Sequence, residues 1–153
     1  MKTVYLAGPI TDRSYLEAND WRNDVACRLA DCDIRGISPL RCEPMIGTTY
    51  QMNSVDPKFG SAKAIANKNF FDISMTDMTL CYMPKQLAFS KGTCVELAWA
   101  FALRKPTILV CDEPEWVKHP CIQACSGWVL ETLDEAVDLI VGILGDYPKG
   151  AGR

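Results

Sequence analysis

Met78-Thr-Leu-Cys-Tyr-Met83, then Thr93-Cys-Val-Glu-Leu-Ala-Trp-Ala-Phe-Ala-Leu103, then Pro106-Thr-Ile-Leu-Val-Cys111, decide the fold. The outer two stretches are short and apolar, without alternation of polar and apolar residues, as in strands covered on both faces. The middle stretch is long enough for a helix and runs on to Arg104. Strand, helix and strand in this order make a parallel crossover unit.

The same alternation continues on both sides. Residues 2–7 form a strand that stops at Gly8-Pro9. Asp12 to Ala30 has helical spacing, with Tyr15, Leu16, Trp21, Val25, Ala26 and Leu29 as its apolar members. Ile34 to Ser38 is a short strand, and Ala62 to Ser74 is a helix ahead of the strand at Met78. Trp128 to Leu130 is a fifth strand, and Thr132 to Leu144 is the last helix. Residues 39–60 and 112–126 have no clear period and are expected to be loops. The expected architecture is a single α/β domain over residues 1–145, with about five parallel strands and helices on both faces. Residues 146–153 are expected to form a flexible C-terminal tail. Ligands in such folds sit beyond the carboxyl ends of the strands, here near Gly8-Pro9, Ser38, Met83 to Gly92, and Cys111 to Glu113.

Composition narrows the function. The chain has 153 residues, 48% hydrophobic and 23% charged, with a net charge of −3. It shows no basic stripe for nucleic acid and no apolar run long enough for a membrane span. The eight cysteines include no CxxC pair, and the only histidine, His119, has no usual zinc spacing to Cys121 and Cys125. Most of these cysteines sit in apolar runs, and the short apolar run from Val4 suits a buried strand better than an export signal. A cytoplasmic, reduced protein is therefore expected. GxGxxG, GxxxxGK[ST] and GxSxG are all absent, so no dinucleotide, Walker or serine-triad site is indicated. No metal and no cofactor are expected.

Glu96 is the one charge in its apolar helix. Two roles are open to it: the N3 partner of a Thr93 capping box, or a carboxylate nucleophile at the ligand edge. Asn69 and Asp72 lie three apart and are able to share a helix face. Asp77 is expected to cap a strand mouth. Tyr5 is a strand tyrosine that is either core or site. Ser90-Lys-Gly-Thr93 opens a helix, as a simple cap or as an anion site.

Together, Tyr5-Leu-Ala-Gly-Pro-Ile10, Asn69-x-x-Asp72-x-x-x-x-Asp77, Gly92-Thr-x-x-Glu96-Leu-Ala-Trp-Ala and Lys105-Pro-Thr-Ile-Leu resemble the nucleoside 2-deoxyribosyltransferase superfamily, over roughly residues 3–145. That superfamily includes N-glycosidases of nucleoside 5′-monophosphates. The resemblance implies a flavodoxin-like fold and a homo-oligomer, dimer or higher. It implies a small nucleoside or nucleotide as substrate, cleaved at the N-glycosidic bond through a deoxyribosyl ester of Glu96, with transfer to another base or to water. Tyr5 would orient the nucleophile, and Gly8 and Pro9 would line the substrate, as would Asn69, Ser90, Gly92 and Thr93. Two positions depart from the family's pattern. Asn69 stands where an acid is usual, which leaves Asp72 as the candidate proton donor or the activity altered. Ser90 stands where transferases often have Asp, and Ser is compatible with a 5′-phosphate. The alternative is a nucleotide-binding sensor that has lost its acid at Asn69.

Overall fold

Parallel strands in the order β2-β1-β3-β4-β5 form the centre of the molecule. The computed structural model of the chain describes residues 1–42, 49, 50, 58 and 60–145. In chain order the elements are β1 (Lys2–Ala7), α1 (Tyr15–Ala30), β2 (Ile34–Ile37), α2 (Ala62–Met75), β3 (Met78–Tyr82), α3 (Lys91–Ala102), β4 (Thr107–Val110), α4 (Pro114–Val117), α5 (Pro120–Cys125), β5 (Trp128–Leu130) and α6 (Leu133–Leu144). The expected five-stranded parallel sheet, with helices on both faces, is present.

β1, β3 and β4 feed both faces, because successive side chains point to opposite sides. Val4, Leu6, Met78, Leu80, Ile108 and Val110 pack against Trp21, Val25 and Leu29 of α1 and Ala136, Val137 and Ile140 of α6. Tyr5, Ala7, Cys81 and Leu109 face Ile73 of α2, Leu97 and Ala100 of α3, and Ile122 of α5. Double coverage is why β3 and β4 are buried along almost their whole length rather than alternating polar with apolar.

β1 is an interior strand, pairing through Tyr5 with Ile37 of β2 and with Thr79 of β3. The chain leaves β1 towards β2 and later builds β3, β4 and β5 on the other side. The strand order therefore reverses beside β1, and a crevice opens there at the carboxyl ends. At the opposite end Asp77 accepts from the Thr3 amide at 2.8 Å and the Thr3 hydroxyl at 3.0 Å, which is the strand-mouth cap expected of it.

The structure corrects two expectations. Residues 112–126 are not a plain loop, since they hold α4 and α5. Each begins with a proline at its first turn, Pro114 or Pro120, where the missing N–H is harmless. Helices of four and six residues are too short to show a period. In addition, α3 starts two residues earlier than its apolar run, at Lys91 with Ser90 as N-cap. Of the segment 39–60, Pro39–Cys42 is a 3-10 turn. Residues 43–48, 51–57 and 59 lie outside the described residues, as does the tail expected at 146–153. Seven cysteines among the described residues are free thiols. Among those residues no helix is long and apolar enough to cross a membrane.

Candidate active site

Glu96 reaches the crevice because α3 buries one stripe: Thr93, Glu96, Leu97 and Ala100. These positions are spaced i, i+3, i+4 and i+7, which a helix places on one face. The carboxylate is therefore carried inward with its apolar neighbours and stays only 7% exposed. The capping-box role is ruled out. Ser90 accepts from the Thr93 amide at 3.2 Å and from the Thr93 hydroxyl at 2.8 Å, so the cap lies six residues before Glu96.

Glu96 is instead held from two other elements. Tyr5 on β1 donates its hydroxyl to Oε1 at 2.7 Å, and Asn69 on α2 donates Nδ2 to the same oxygen at 2.9 Å. Among the described residues no hydrogen bond reaches Oε2. One oxygen is thus anchored, and the other carries no described hydrogen bond. Burial pushes the carboxyl up from 4.5 to about 6, against the lowering effects of Tyr5, Arg22, Asn69 and Lys68. It is ionised at neutral pH. Burial, and then the charge of Glu96, raise the Tyr5 phenol well above its ordinary range, so Tyr5 keeps the proton it donates.

The buried face of α2 carries Asn69, Asp72 and Ile73, so the shared face expected for the two polar residues exists. Asn69 Oδ1 accepts from Lys68 Nζ at 3.1 Å, which orients its amide donor towards Glu96. Asp72 does not bond Glu96. The forked guanidinium of Arg41 clasps both of its oxygens, and Lys68 Nζ lies 3.8 Å away. Its side chain is 3% exposed, so this is a buried carboxylate matched by two cations.

Gly8 and Pro9 are buried at the carboxyl end of β1. A Cβ on Gly8 would lie 2.6 Å from the Trp21 ring and 3.1 Å from Tyr82 O, so only glycine fits. Gly92 differs: a Cβ there would meet nothing closer than Ser90 Oγ at 3.9 Å. Ser90 is half-buried at the opening of α3. With Glu96 six residues along, the two lie about 9 Å apart on the helix axis.

The profile of the family described as nucleoside 2-deoxyribosyltransferase matches residues 4–140. The chain belongs to that family. No curated protein matches it by sequence. Three solved structures share the family member's fold at low identity. A 2-deoxyribosyltransferase from Bacillus psychrosaccharolyticus is 19% identical with a TM-score of 0.64, over 89% of this chain and 90% of that one. A CMP N-glycosidase from Clostridium botulinum is 18% identical with a TM-score of 0.58, over 94% and 100%. A conserved protein from Enterococcus faecalis V583 is 15% identical with a TM-score of 0.69, over 94% and 99%.

Three charged residues at this deoxyribosyltransferase-family site escaped the sequence: Arg22, Lys68 and Arg41. Arg22 falls in the stripe Ala18, Arg22, Val25 and Leu29, all buried, and that spacing is its only signal. Lys68 sits one turn before Asp72, the usual spacing of a helical ion pair. Arg41 comes from an aperiodic segment and is brought in by tertiary structure alone. A cavity of about 400 Å³ also opens at the carboxyl edge, lined by Asp24, Arg28, Tyr82, Asp112 and Asp134. It lies on the α1 and α6 side of the sheet and shares no residue with the Glu96 site.

The raised pKa has a signed consequence for stability. The folded chain holds the Glu96 proton more tightly than the unfolded chain. That contribution is full below 4.5 and is lost as pH rises through about 6. Glu96→Gln, which mimics the protonated form, is expected to be more stable than the parent by about 2 kcal/mol near pH ~8. Below 4.5 the two should converge. Chemical denaturation across this range checks it; a capping role would predict a loss at every pH.

Proposed function

We propose that the chain cleaves the N-glycosidic bond of a 2′-deoxyribonucleoside or its 5′-monophosphate through a covalent ester on Glu96. The observation that carries this is the buried carboxylate fixed at Oε1 by Tyr5 and Asn69, with no described hydrogen bond on Oε2. Oε2 attacks C1′, the C1′–O bond forms, and the C1′–N bond breaks with its electron pair leaving on the base, which takes up a proton. A second base or a water then attacks C1′ and releases Glu96. This is the double displacement of retaining glycosidases, with a base as leaving group. Tyr5 and Asn69 hold the nucleophile, and Gly8 and Pro9 form the wall beside the sugar. Among the proteins that share the fold, one is named for deoxyribosyl transfer and one for N-glycosidase activity.

Asp72 is the remaining carboxyl on the α2 side. It is paired with Arg41 and Lys68. As proton donor it would have to part from Arg41 when the base enters. Ser90, Gly92 and Thr93 form the subsite for the 5′ end of the sugar. The 9 Å or so from Ser90 to Glu96 along α3 suits a deoxyribose lying between its 5′ substituent and C1′. The dipole of α3 favours an anion at that end.

We also assign the exposed apolar residues of α2 and α3 to a homo-oligomeric interface. Phe70, Phe71, Met75, Val95 and Phe101 are all exposed, and Phe70 packs edge-on against Trp99 at 5.5 Å. Asn69 and Glu96 are the direct chain neighbours of Phe70 and Val95, so a partner seated there borders the site.

Incubation with deoxynucleosides and their monophosphates, with and without a second free base, tests the main proposal. Free base or exchanged nucleoside is expected, with kcat/KM falling about tenfold per pH unit below the Glu96 pKa near 6. Glu96→Gln should lower turnover by several orders of magnitude. No product from any substrate would support the sensor alternative that Asn69 suggests.

Three further outcomes are expected. Asp72→Asn should abolish turnover on natural bases yet spare substrates whose leaving group needs no proton; equal activity on natural bases would remove Asp72 from the reaction. Ser90→Asp should weaken use of a monophosphate relative to its nucleoside by about 1–3 kcal/mol, read as a ratio of specificity constants. An unmoved ratio would leave Ser90 as a helix cap only. Sedimentation at micromolar concentration should show a particle larger than 17.0 kDa, and a monomer would contradict the assigned interface.

A further inference from the structure

Arg22 is a charged residue only 1% exposed, on the α1 side of the sheet. Its Nε donates to Leu6 O at 3.1 Å, its Nη2 to Gly8 O at 2.8 Å, and its Nη1 to Ala18 O. Its guanidinium lies 4.4 Å from the Trp21 ring centroid, and Trp21 packs on Tyr82 at 4.8 Å. The fork therefore ties the last residues of β1 to α1, and the stacked rings extend the tie to the end of β3. Gly8 leaves the room: a Cβ on it would lie 3.1 Å from Arg22 Nη2.

A neutral donor would serve for a tie alone. Keeping a full charge at this depth is costly unless the charge is matched. Every hydrogen bond described from the guanidinium ends on a backbone carbonyl. Burial draws Arg22 down to about 10, so it is charged at neutral pH, and Glu96 is the first of the groups that favour that charge.

We propose that Arg22 is a positioning residue of the Glu96 site: it fixes the end of β1 that carries Tyr5 and Gly8, and it supplies the buried positive charge that Glu96 is set against. This inference rests on Glu96 being the nucleophile. The groups acting on Glu96 come from four elements: Tyr5 on β1, Arg22 on α1, Asn69 and Lys68 on α2, and Cys81 on β3. Asp72 acts on Tyr5. Burial holds Tyr5 and Cys81 protonated, so the cations acting on Glu96 are Arg22 and Lys68. Lys68 already has Asp72 at 3.8 Å, whereas Arg22 is bonded to no carboxylate among the described residues.

The test is a carboxyl-carbon NMR titration of the full chain labelled at glutamate, with the Glu96 signal assigned by its loss in Glu96→Gln. It is paired with the pH profile of base release. The parent should titrate near 6. Arg22→Met should raise that midpoint by about one pH unit, with the acid limb of kcat/KM moving alongside. Arg22→Lys keeps the charge but not the fork, so its midpoint should stay with the parent while turnover falls. A residue that is only structural would lower the melting temperature in both variants and move neither midpoint nor limb. An unmoved midpoint in folded Arg22→Met overturns the proposal. If Arg22→Met does not fold, Arg22→Lys decides, because parental turnover or a displaced midpoint there also overturns it. If the parent releases no base from any substrate, the proposed function fails, while the titration still reports whether Arg22 sets the charge of Glu96.

Discussion

A carboxylate buried to 7% exposure needs donors, and the rest of this structure is arranged around supplying them to Glu96. The two that bond it come from an interior strand and from the helix before β3. Neither is near Glu96 in sequence. They meet only because β1 lies inside the sheet, between β2 and β3, and α2 packs beside α3 on one face. The sheet order is therefore a requirement of the site as well as of the core. Donors on one oxygen hold the carboxylate still, and desolvation keeps its basicity above that of an exposed glutamate. Both properties suit a nucleophile that works at neutral pH.

Burial also explains the surrounding charges. Asp72 is paired with Arg41 and Lys68 on the α2 side, and Arg22 is satisfied by carbonyls on the α1 side. Asn69, where the family resemblance leads one to expect an acid, spends its amide on Glu96. An amide cannot give up a proton to a departing base, but it can fix a nucleophile. In the proposed reaction, protonation of the base therefore falls to Asp72, released from its ion pair.

Much of the fold was legible because a doubly covered parallel sheet writes its strands as continuous apolar runs. The five strands and the long helices fall where those runs predict. Glu96 was legible for the opposite reason, as a lone charge in an apolar helix. Its partner Tyr5 is indistinguishable from a core tyrosine in sequence, and only the family resemblance marked it. The pattern could not separate a Thr93 cap from a Ser90 cap, since both residue types stop a helix equally well. Arg22 shows the limit of residue type as a guide: its spacing says buried, its chemistry says surface, and the carbonyls that settle the conflict lie in another element. Arg41 had no signal at all, because its partner is 31 residues away and no period connects them.

The central claim is a covalent bond between Glu96 and the sugar. A 2′-deoxy-2′-fluoro arabinosyl nucleoside or its monophosphate should slow release of the ester more than its formation, because fluorine opposes the oxocarbenium character of both steps while a good leaving base drives the first. Mass spectrometry of the digested protein should then show one fluorosugar added to the peptide carrying Glu96, and none in Glu96→Gln. Release of free base with no sugar on that peptide, or with the sugar on another residue, would contradict the account.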